Sequence, residues 1–281
     1  MKNIHNGFKL ARHMTQHHAK TFYFASLGLA NAERQASYSI YAICRLTDDS
    51  VDQSPEPQKN LEAIRQKINL AYKPQMDDLQ QSDDIISAFR LTVNEYHIPN
   101  KYFNELLSGM EMDLTVTRYE NFAQLYSYCY KVAGVVGLIM LKIFKYENPR
   151  AEQYAEELGI AMQLTNILRD INEDYGRGRI YVPAEDLNRF KITETDIKNK
   201  IISDRFIAMM KFEINRAREY YQKARAGIPL IKNKRGRIVT HVMADLYEAI
   251  LDKIEQNRYD VFTKRARLSL WEKFWKLLKN M

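Results

Sequence analysis

The chain has 281 residues, 46% of them hydrophobic and 27% charged, a composition that supports a sizeable core and excludes an intrinsically disordered chain. Lys and Arg number 42 and Asp and Glu number 35, so the formal charge is +7. A basic balance suits a nucleic acid, an anionic membrane or an anionic small substrate, but here the charge is spread along the chain. Only 10 glycines and 7 prolines are present, which is few for a β-rich or loop-rich protein.

Apolar residues recur every three or four positions almost throughout, and this spacing predicts helices rather than strands. In chain order, the predicted helices lie at 8–27, 31–53, 58–72, 83–96, 100–118, 121–145, 150–175, 193–226, 236–258 and 268–279. We therefore predict an all-α fold, a single domain over 1–281 whose helices pack around a shared centre.

The cysteines and the apolar runs bear on location. Cys44 and Cys129 are the two cysteines, and each falls in an apolar helical stretch, as buried thiols do in a reducing cytoplasm. The longest uncharged apolar run, 132–141, is shorter than the roughly 20 residues that span a bilayer. No secretory signal is visible at the N-terminus. We expect a cytoplasmic protein, with peripheral contact at the inner membrane left open.

Two acidic segments form polar stripes on predicted helices, because residues four apart lie almost above one another. The first acidic stripe comprises Tyr41, Arg45, Asp48 and Asp52. The second acidic stripe comprises Gly159, Gln163, Asn166, Asp170 and Asp174. Like charges at this spacing repel each other, and unpaired buried carboxylates are costly, so the chain should supply a counter-charge. Either the acids face water and basic side chains, or the two stripes face each other and hold cations.

The chemistry of the stripes favours a hard cation if they do face each other. Neither stripe has a His or Cys, and Mg²⁺ binds through carboxylates, water and substrate phosphate oxygens. A diphosphate would be its anionic partner. Nearby basic side chains suit either a diphosphate clamp or surface ion pairs: Arg45, Arg169, Arg177 and Arg179. Such a site would ease ionisation of a carbon–oxygen bond, and an apolar cavity beside it would hold a long hydrocarbon and shield a carbocation.

Four segments in order resemble the squalene/phytoene synthase family, from about residue 15 to 267. They read "YAICRLTDDSVD" (41–52), "YCYKVAGVVG" (128–137), "QLTNILRDINED" (163–174) and "GRIYVPAEDL" (178–187). The resemblance, to the bacterial phytoene synthase and presqualene diphosphate synthase type, implies an isoprenoid-synthase helical bundle around a central cavity. It implies a prenyltransferase that joins two allylic prenyl diphosphates head to head (1′–1), releasing diphosphate by way of a cyclopropylcarbinyl diphosphate, in squalene, hopanoid or carotenoid biosynthesis.

The resemblance also implies ligands and residue roles. The substrate would be farnesyl or geranylgeranyl diphosphate, with two or three Mg²⁺ ions, and NADPH would be used only if squalene is the final product. The implied metal ligands are Asp48, Asp52, Asn166, Asp170 and Asp174. The implied catalytic residues are Tyr41, Arg45, Asp48, Asp52, Tyr128, Asp170 and Asp174. The implied substrate contacts are Thr21, Arg45, Gln163, Asn166, Arg169, Tyr181, Tyr247 and Arg265.

Several alternatives stay open. Ser26 and Tyr38 stand where some C30 enzymes have bulkier aromatics, which favours a C20 substrate, whereas the wording of the motifs is closer to the squalene-pathway enzymes. Other interpretations are a head-to-tail prenyl diphosphate synthase, a terpene cyclase, or a basic helical module that binds membrane or nucleic acid. In the leading interpretation, a prenyltransferase, we expect no nucleic acid as a partner. The amphipathic segment 271–280 suits either contact with a membrane surface or packing on the domain.

Overall fold

The computed structural model describes residues 2–52, 54–73 and 83–279. Its first helices are α1 (Lys2–His18), α2 (Lys20–Ser26), α3 (Asn31–Asp52), α4 (Pro57–Ala71), α5 (Asp84–Glu95) and α6 (Asn100–Thr115). They are followed by α7 (Phe122–Cys129), α8 (Val135–Phe144), α9 (Arg150–Gly176), α10 (Ala184–Arg189), α11 (Glu194–Lys198), α12 (Asp204–Arg225), α13 (Lys234–Gln256) and α14 (Leu270–Lys279). Within the described residues, β pairing is confined to two isolated bridges, so the predicted all-α class is confirmed.

Two predicted helices are wrong as continuous elements. The segment 8–27 is divided between α1 and α2 at Ala19, whose backbone is not helical (φ −126°, ψ 57°). The segment 193–226 is divided between α11 and α12 because Ser203 starts a new helix, its side chain accepting a hydrogen bond from the Phe206 amide. Position 53, where the second predicted helix ends, lies outside the described residues.

The predicted helix over 121–145 is continuous, with a π-helical turn at Tyr130–Gly134 between α7 and α8. By length and composition, Phe122–Phe144 is apolar enough to span a bilayer, with a mean hydropathy of 1.5. Half of its most apolar window is buried inside the protein, and the π turn and α8 pack against α6 and α9. This packing is that of a core helix.

Glycines allow α8 and α9 to touch. A Cβ atom at Gly137 would overlap the carbonyl oxygen of Ala155, and one at Gly159 would overlap the carbonyl oxygen of Ala133. The absence of a side chain at these glycines therefore permits a contact between two helix backbones. It places the polar face of α9 against the segment 130–137.

A cavity lies between two groups of buried side chains. One group is built mainly from α1–α6, α8 and the first half of α13. The other is built mainly from α7, α9–α12 and the second half of α13. Val132, Met162 and Tyr247 pack against both groups and also line the cavity. The cavity is therefore at the centre of the bundle, where the family resemblance implied it.

Candidate active site

The first acidic stripe is partly neutralised from within its own helix. Arg45 donates through Nε to Asp49 at 3.0 Å and lies 3.4 Å from Asp48. Loss of hydration in the cleft, and then the neighbouring charge of Asp52, raise the pKa of Asp48 to about 6. Asp49 is a partner that the stripe pattern missed, because it stands one residue off the stripe.

Asp52, at the end of α3, is held by arginines from a distant part of the chain. Its carboxylate lies 2.7 Å from Arg177 and 3.1 Å from Arg179, and its side chain is 14% exposed. Both arginines follow α9 directly, and Arg177 also contacts Glu173 at 3.2 Å. The sequence suggested either a diphosphate clamp or surface ion pairs for these arginines. In the structure they form ion pairs that cross from one acidic segment to the other.

The second acidic stripe has its own counter-charges. Asp170 accepts from Arg169 Nε at 2.8 Å and from Arg265 at 2.9 Å. Its backbone leaves the helical region (φ −107°, ψ 15°), so α9 is kinked where these bonds form. Burial, and then the charge of Asp170, raise the pKa of Asp174 to about 7. Asn166 donates to Gln163 at 3.4 Å, one turn before the kink.

Arg179 joins the two acidic stripes. Its guanidinium contacts Asp52, and its main-chain N–H donates to the carbonyl oxygen of Asp174 at 2.9 Å. The pKa of Arg179 is raised by the surrounding tyrosine and carboxylate groups, which outweigh burial. The two stripes thus both contact Arg179, and the counter-charge expected from their repulsion is arginine in this structure.

A third carboxylate, Asp113 on α6, organises two of the predicted tyrosines. It accepts from Tyr128 OH at 2.9 Å and from Tyr181 OH at 2.7 Å. The two rings stack with centroids 5.1 Å apart, and burial is the main cause of the raised pKa of Asp113. Asp113 was not among the predicted site residues. Its signal in the sequence is the segment "GMEMDL" (109–114), in which Gly109 allows the π turn to approach α6.

The central cavity has a volume of about 310 Å³ and an apolar wall. Both stripes open onto it, the first through Tyr41 and the second through Gly159, Gln163 and Asn166. The segment 20–29 contributes Phe22 to this wall, and 126–140 contributes a run of mostly small and branched side chains. That run comprises Val132, Ala133, Val136, Gly137 and Met140.

The cavity extends along α9 away from the acidic stripes. Its lining residues on this helix run from Asn166 back to Ala151, which at 1.5 Å per residue is about 22 Å. Phe144 and Tyr154 line the far end. A Cβ atom at Gly236 would lie 2.8 Å from the Phe144 ring, and one at Gly227 would overlap Tyr154. These two glycines therefore leave room for the aromatic rings that close the cavity.

Of the remaining predicted residues, Tyr41 and Tyr247 line the cavity and Thr21 does not. Tyr247 lines the cavity, and its pKa is raised by burial and influenced by Arg169, Asp170 and Arg265. Burial raises the pKa of Tyr41 to about 12. Thr21 stands between the lining residues Ala19 and Phe22 without lining the cavity itself.

Ser26 and Tyr38 do not line the cavity. The Ser26 hydroxyl donates to Tyr38 OH at 2.9 Å, and the two side chains are buried behind Phe22, whose ring meets Tyr38 edge-on at 6.5 Å. A small residue at position 26 is therefore compensated by Tyr38 and does not enlarge the cavity directly.

Both acidic stripes offer oxygen donors, and neither has a His or Cys. Across 2–52, 54–73 and 83–279, no three His, Cys, Asp or Glu side chains converge as a metal cluster. Asp48, Asp52 and Asp170 pair with arginines instead. Burial, and then neighbouring negative charge, raise the pKa values of Asp48 and Asp174. Carboxylate and amide oxygens are ligand types that suit Mg²⁺, and the residues that would hold it are Asp48, Asp52, Asn166, Asp170 and Asp174.

Comparisons with known proteins agree with this geometry. The squalene/phytoene synthase family model matches residues 15–272. The 15-cis-phytoene synthase of Synechococcus elongatus is 39% identical over 99% of this chain and 93% of its own length. The crystal structure of a dehydrosqualene synthase superposes with a TM-score of 0.90 at 28% identity, covering 99% of this chain and 96% of that one. For squalene synthase HpnC of Alicyclobacillus acidocaldarius the TM-score is 0.84 at 26% identity, with 92% and 97% covered. The chain belongs to the squalene/phytoene synthase family.

Proposed function

We propose that this chain joins two molecules of geranylgeranyl diphosphate head to head and releases the C40 hydrocarbon phytoene. Head-to-head prenyl transfer is the activity of the family. What we propose beyond it is that the substrate is a C20 diphosphate. The observation that carries it is the extent of the cavity, about 22 Å from Asn166 to Ala151. It is supported by likeness to a relative named 15-cis-phytoene synthase at 39% identity.

The cavity matches a C20 chain better than a C15 chain. With carbon–carbon bonds of about 1.5 Å, the sixteen in-line carbons of an extended C20 chain span roughly 19 Å, and the twelve of a C15 chain roughly 14 Å. A C15 chain with its diphosphate near Asn166 would leave the space beside Tyr154 and Phe144 unfilled. Unfilled apolar volume lowers affinity because its wall loses van der Waals contacts.

The arginines around the entrance are proposed to bind the diphosphates. Arg45, Arg169 and Arg265 each already pair with a carboxylate of the stripes, so they are oriented towards the entrance. A diphosphate presents the same charged oxygens as a carboxylate and accepts from guanidinium groups with similar geometry. Mg²⁺, when bound by the two stripes, would neutralise the leaving diphosphate. Gln163, which lines the cavity, would add a neutral donor near the same position.

The chain's own residues then protect a reactive hydrocarbon. The carbon–oxygen bond of one substrate breaks, its allylic cation is attacked by the double bond of the other, and a proton leaves to give a cyclopropylcarbinyl diphosphate. A second ionisation, rearrangement and proton loss give phytoene without a reductant. The ring faces of Tyr41, Tyr247 and Phe22 line the cavity and would shield positive charge from water. Asp113 would hold Tyr128 and Tyr181 at fixed orientation.

The test is product analysis of the full chain with C15 and C20 diphosphates, each with and without NADPH. We expect a C40 hydrocarbon from the C20 substrate, unaffected by NADPH, and little product from the C15 substrate. A C30 hydrocarbon as the dominant product would contradict the proposal and favour a dehydrosqualene- or squalene-type reaction. A requirement for isopentenyl diphosphate would favour head-to-tail chain growth.

The proposed Mg²⁺ site can be tested without turnover. Calorimetric titration with a non-hydrolysable thio-diphosphate analogue should show binding that is weakened by EDTA and restored by Mg²⁺. Equal affinity in EDTA and in Mg²⁺ would show that arginines alone hold the diphosphate.

A further inference from the structure

Both tryptophans of the chain lie on α14 and face outwards. Trp271 is 74% exposed and Trp275 is 67% exposed, the largest exposures among the large hydrophobic side chains of the described residues. They are four positions apart, so they lie on one face of the helix, one turn from each other. Two adjacent exposed indoles need a function, because a solvent-facing surface ordinarily avoids them.

The surroundings of these tryptophans are strongly basic. The stretch 264–279 contains a single acid, Glu272, and six basic residues: Lys264, Arg265, Arg267, Lys273, Lys276 and Lys279. Glu272 is itself paired with Lys253 at 2.6 Å. Lys273 lies near Lys20, and burial followed by this second ammonium group lowers its pKa. The segment that carries Trp271 and Trp275 therefore has an excess of positive charge.

The position of α14 is fixed relative to the site. Ser269 and Glu272 form a reciprocal cap, with Ser269 N–H donating to Glu272 at 2.8 Å and Glu272 N–H donating to Ser269 at 3.3 Å. The helix packs against α13. Lys20 begins α2 next to the lining residue Ala19, and Arg265, just before α14, bonds Asp170. The helix that carries the tryptophans thus lies beside the entrance of the cavity.

We propose that α14 docks on the surface of an anionic lipid bilayer, with Trp271 and Trp275 in the headgroup region and the surrounding basic side chains against lipid phosphates. Indole rings prefer this interface because one edge is apolar and the other can donate a hydrogen bond. A 10-residue helix is too short to span the bilayer but suffices to lie in its surface. The excess of positive charge favours anionic lipid over a second copy of this chain, which would bring the same excess.

Because the chain has only these two tryptophans, tryptophan emission excited beyond the tyrosine absorption band reports on α14 alone. Vesicles of phosphatidylcholine with 30% phosphatidylglycerol should shift the emission to shorter wavelength, and lipids brominated near the headgroup should quench it. Pure phosphatidylcholine vesicles, or the mixed vesicles in 0.5 M salt, should give a much smaller change because the electrostatic attraction is absent or screened. Emission that is unaffected by anionic vesicles would overturn the proposal.

Vesicle flotation of variants separates the contribution of the tryptophans to membrane binding from that of the basic side chains. The pair Trp271→Ala/Trp275→Ala should lower partitioning at least about tenfold. The pair Lys264→Gln/Arg267→Gln should lower it by a smaller factor. Matched controls are Ile201→Ala/Ile202→Ala, which removes other exposed apolar side chains, and Lys198→Gln/Lys200→Gln, which removes equal charge elsewhere; both should float as the parent does. Equal losses in the controls, or a dimer whose emission is shifted before any vesicle is added, would refute membrane docking by α14.

Discussion

The guanidinium of Arg179 lies 3.1 Å from the carboxylate of Asp52 and so joins α3 to the segment that follows α9. This contact, with the Arg177–Asp52 pair at 2.7 Å, ties the first acidic stripe to the segment that follows the second. In the proposed function, Mg²⁺ would neutralise these carboxylates once the arginines bind diphosphate.

Neutralising one acid in each stripe should abolish turnover without unfolding the protein. We expect Asp48→Asn and Asp170→Asn each to lower kcat by about 10³-fold or more, because the leaving diphosphate loses its counter-ions. Thermal unfolding of Asp48→Asn should be unchanged or slightly higher, since the ionised Asp48 is disfavoured by burial and by Asp52. Asp252→Asn, on an exposed ion pair with Arg218, is the control and should keep full activity. Full activity in both stripe variants would rule out the proposed role.

Asp113 should act through the tyrosines that it holds. We expect Asp113→Asn to lower kcat about 10–100-fold with KM within a few-fold of the parent, because the Tyr128 and Tyr181 hydroxyls lose a charged acceptor while the binding arginines remain. Tyr181→Phe should have little further effect in the Asp113→Asn background, since the shared hydrogen bond is already altered. Glu111→Gln on the same helix is the control. Additive losses in the double variant would show that the residues act independently.

The far end of the cavity should set the longest acceptable chain. Tyr154→Ala and Phe144→Ala should each allow a C25 diphosphate to be joined, because they remove the aromatic rings that close the cavity. A stability loss of about 2–4 kcal/mol is expected from truncating a packed aromatic. Tyr72→Ala, an aromatic residue outside the cavity wall, should lower stability without changing chain length. If the variants still make the C40 product but never accept the C25 substrate, other residues close the cavity. If neither the parent nor any variant makes the C40 product, the proposed substrate is wrong.

The contact between α8 and α9 should be intolerant of a single methyl group. We expect Gly137→Ala to lower the free energy of unfolding by about 2–4 kcal/mol, because its Cβ would overlap the backbone of Ala155. Gly176→Ala, at the end of α9 with nothing within 4 Å of its Cβ, should be neutral or stabilising by about 0.5 kcal/mol. Denaturant titration measures both. Similar values for the two variants would mean that the helices can move apart.

A buried cluster away from the site should make stability depend on pH. Burial, opposed by Arg216, raises the pKa of Glu213 to about 8 from its ordinary value of 4.5. Between these values the folded protein binds the proton more tightly than the unfolded chain, so this group's contribution to stability falls as pH rises from about 4.5 to about 8. Glu213→Gln does not titrate, and it should gain about 1–3 kcal/mol relative to the parent across this range. The measurement is urea unfolding at several pH values, with the exposed Glu194→Gln as control. Parallel pH profiles of parent and Glu213→Gln would contradict the assignment.

The sequence alone determined the helical class and the family. Three- and four-residue apolar spacing is a local property, so it predicts helices wherever they form. The same periodicity placed Asp48 with Asp52 and Asn166 with Asp170, because residues one turn apart share a face in any α-helix. Motif order then indicated the family.

Only the tertiary structure decided which groups meet. Asp113 is separated from Tyr181 by more than 60 residues, and no helical period links them. The pairing of Arg177 and Arg179 with Asp52 depends on how the segment after α9 folds back, which long-range packing sets. The cavity's length, its closure by Phe144 and Tyr154, and the burial of Ser26 behind Phe22 follow from the relative placement of separate helices. Local pattern specifies each face, whereas the packing of faces against one another depends on the whole core.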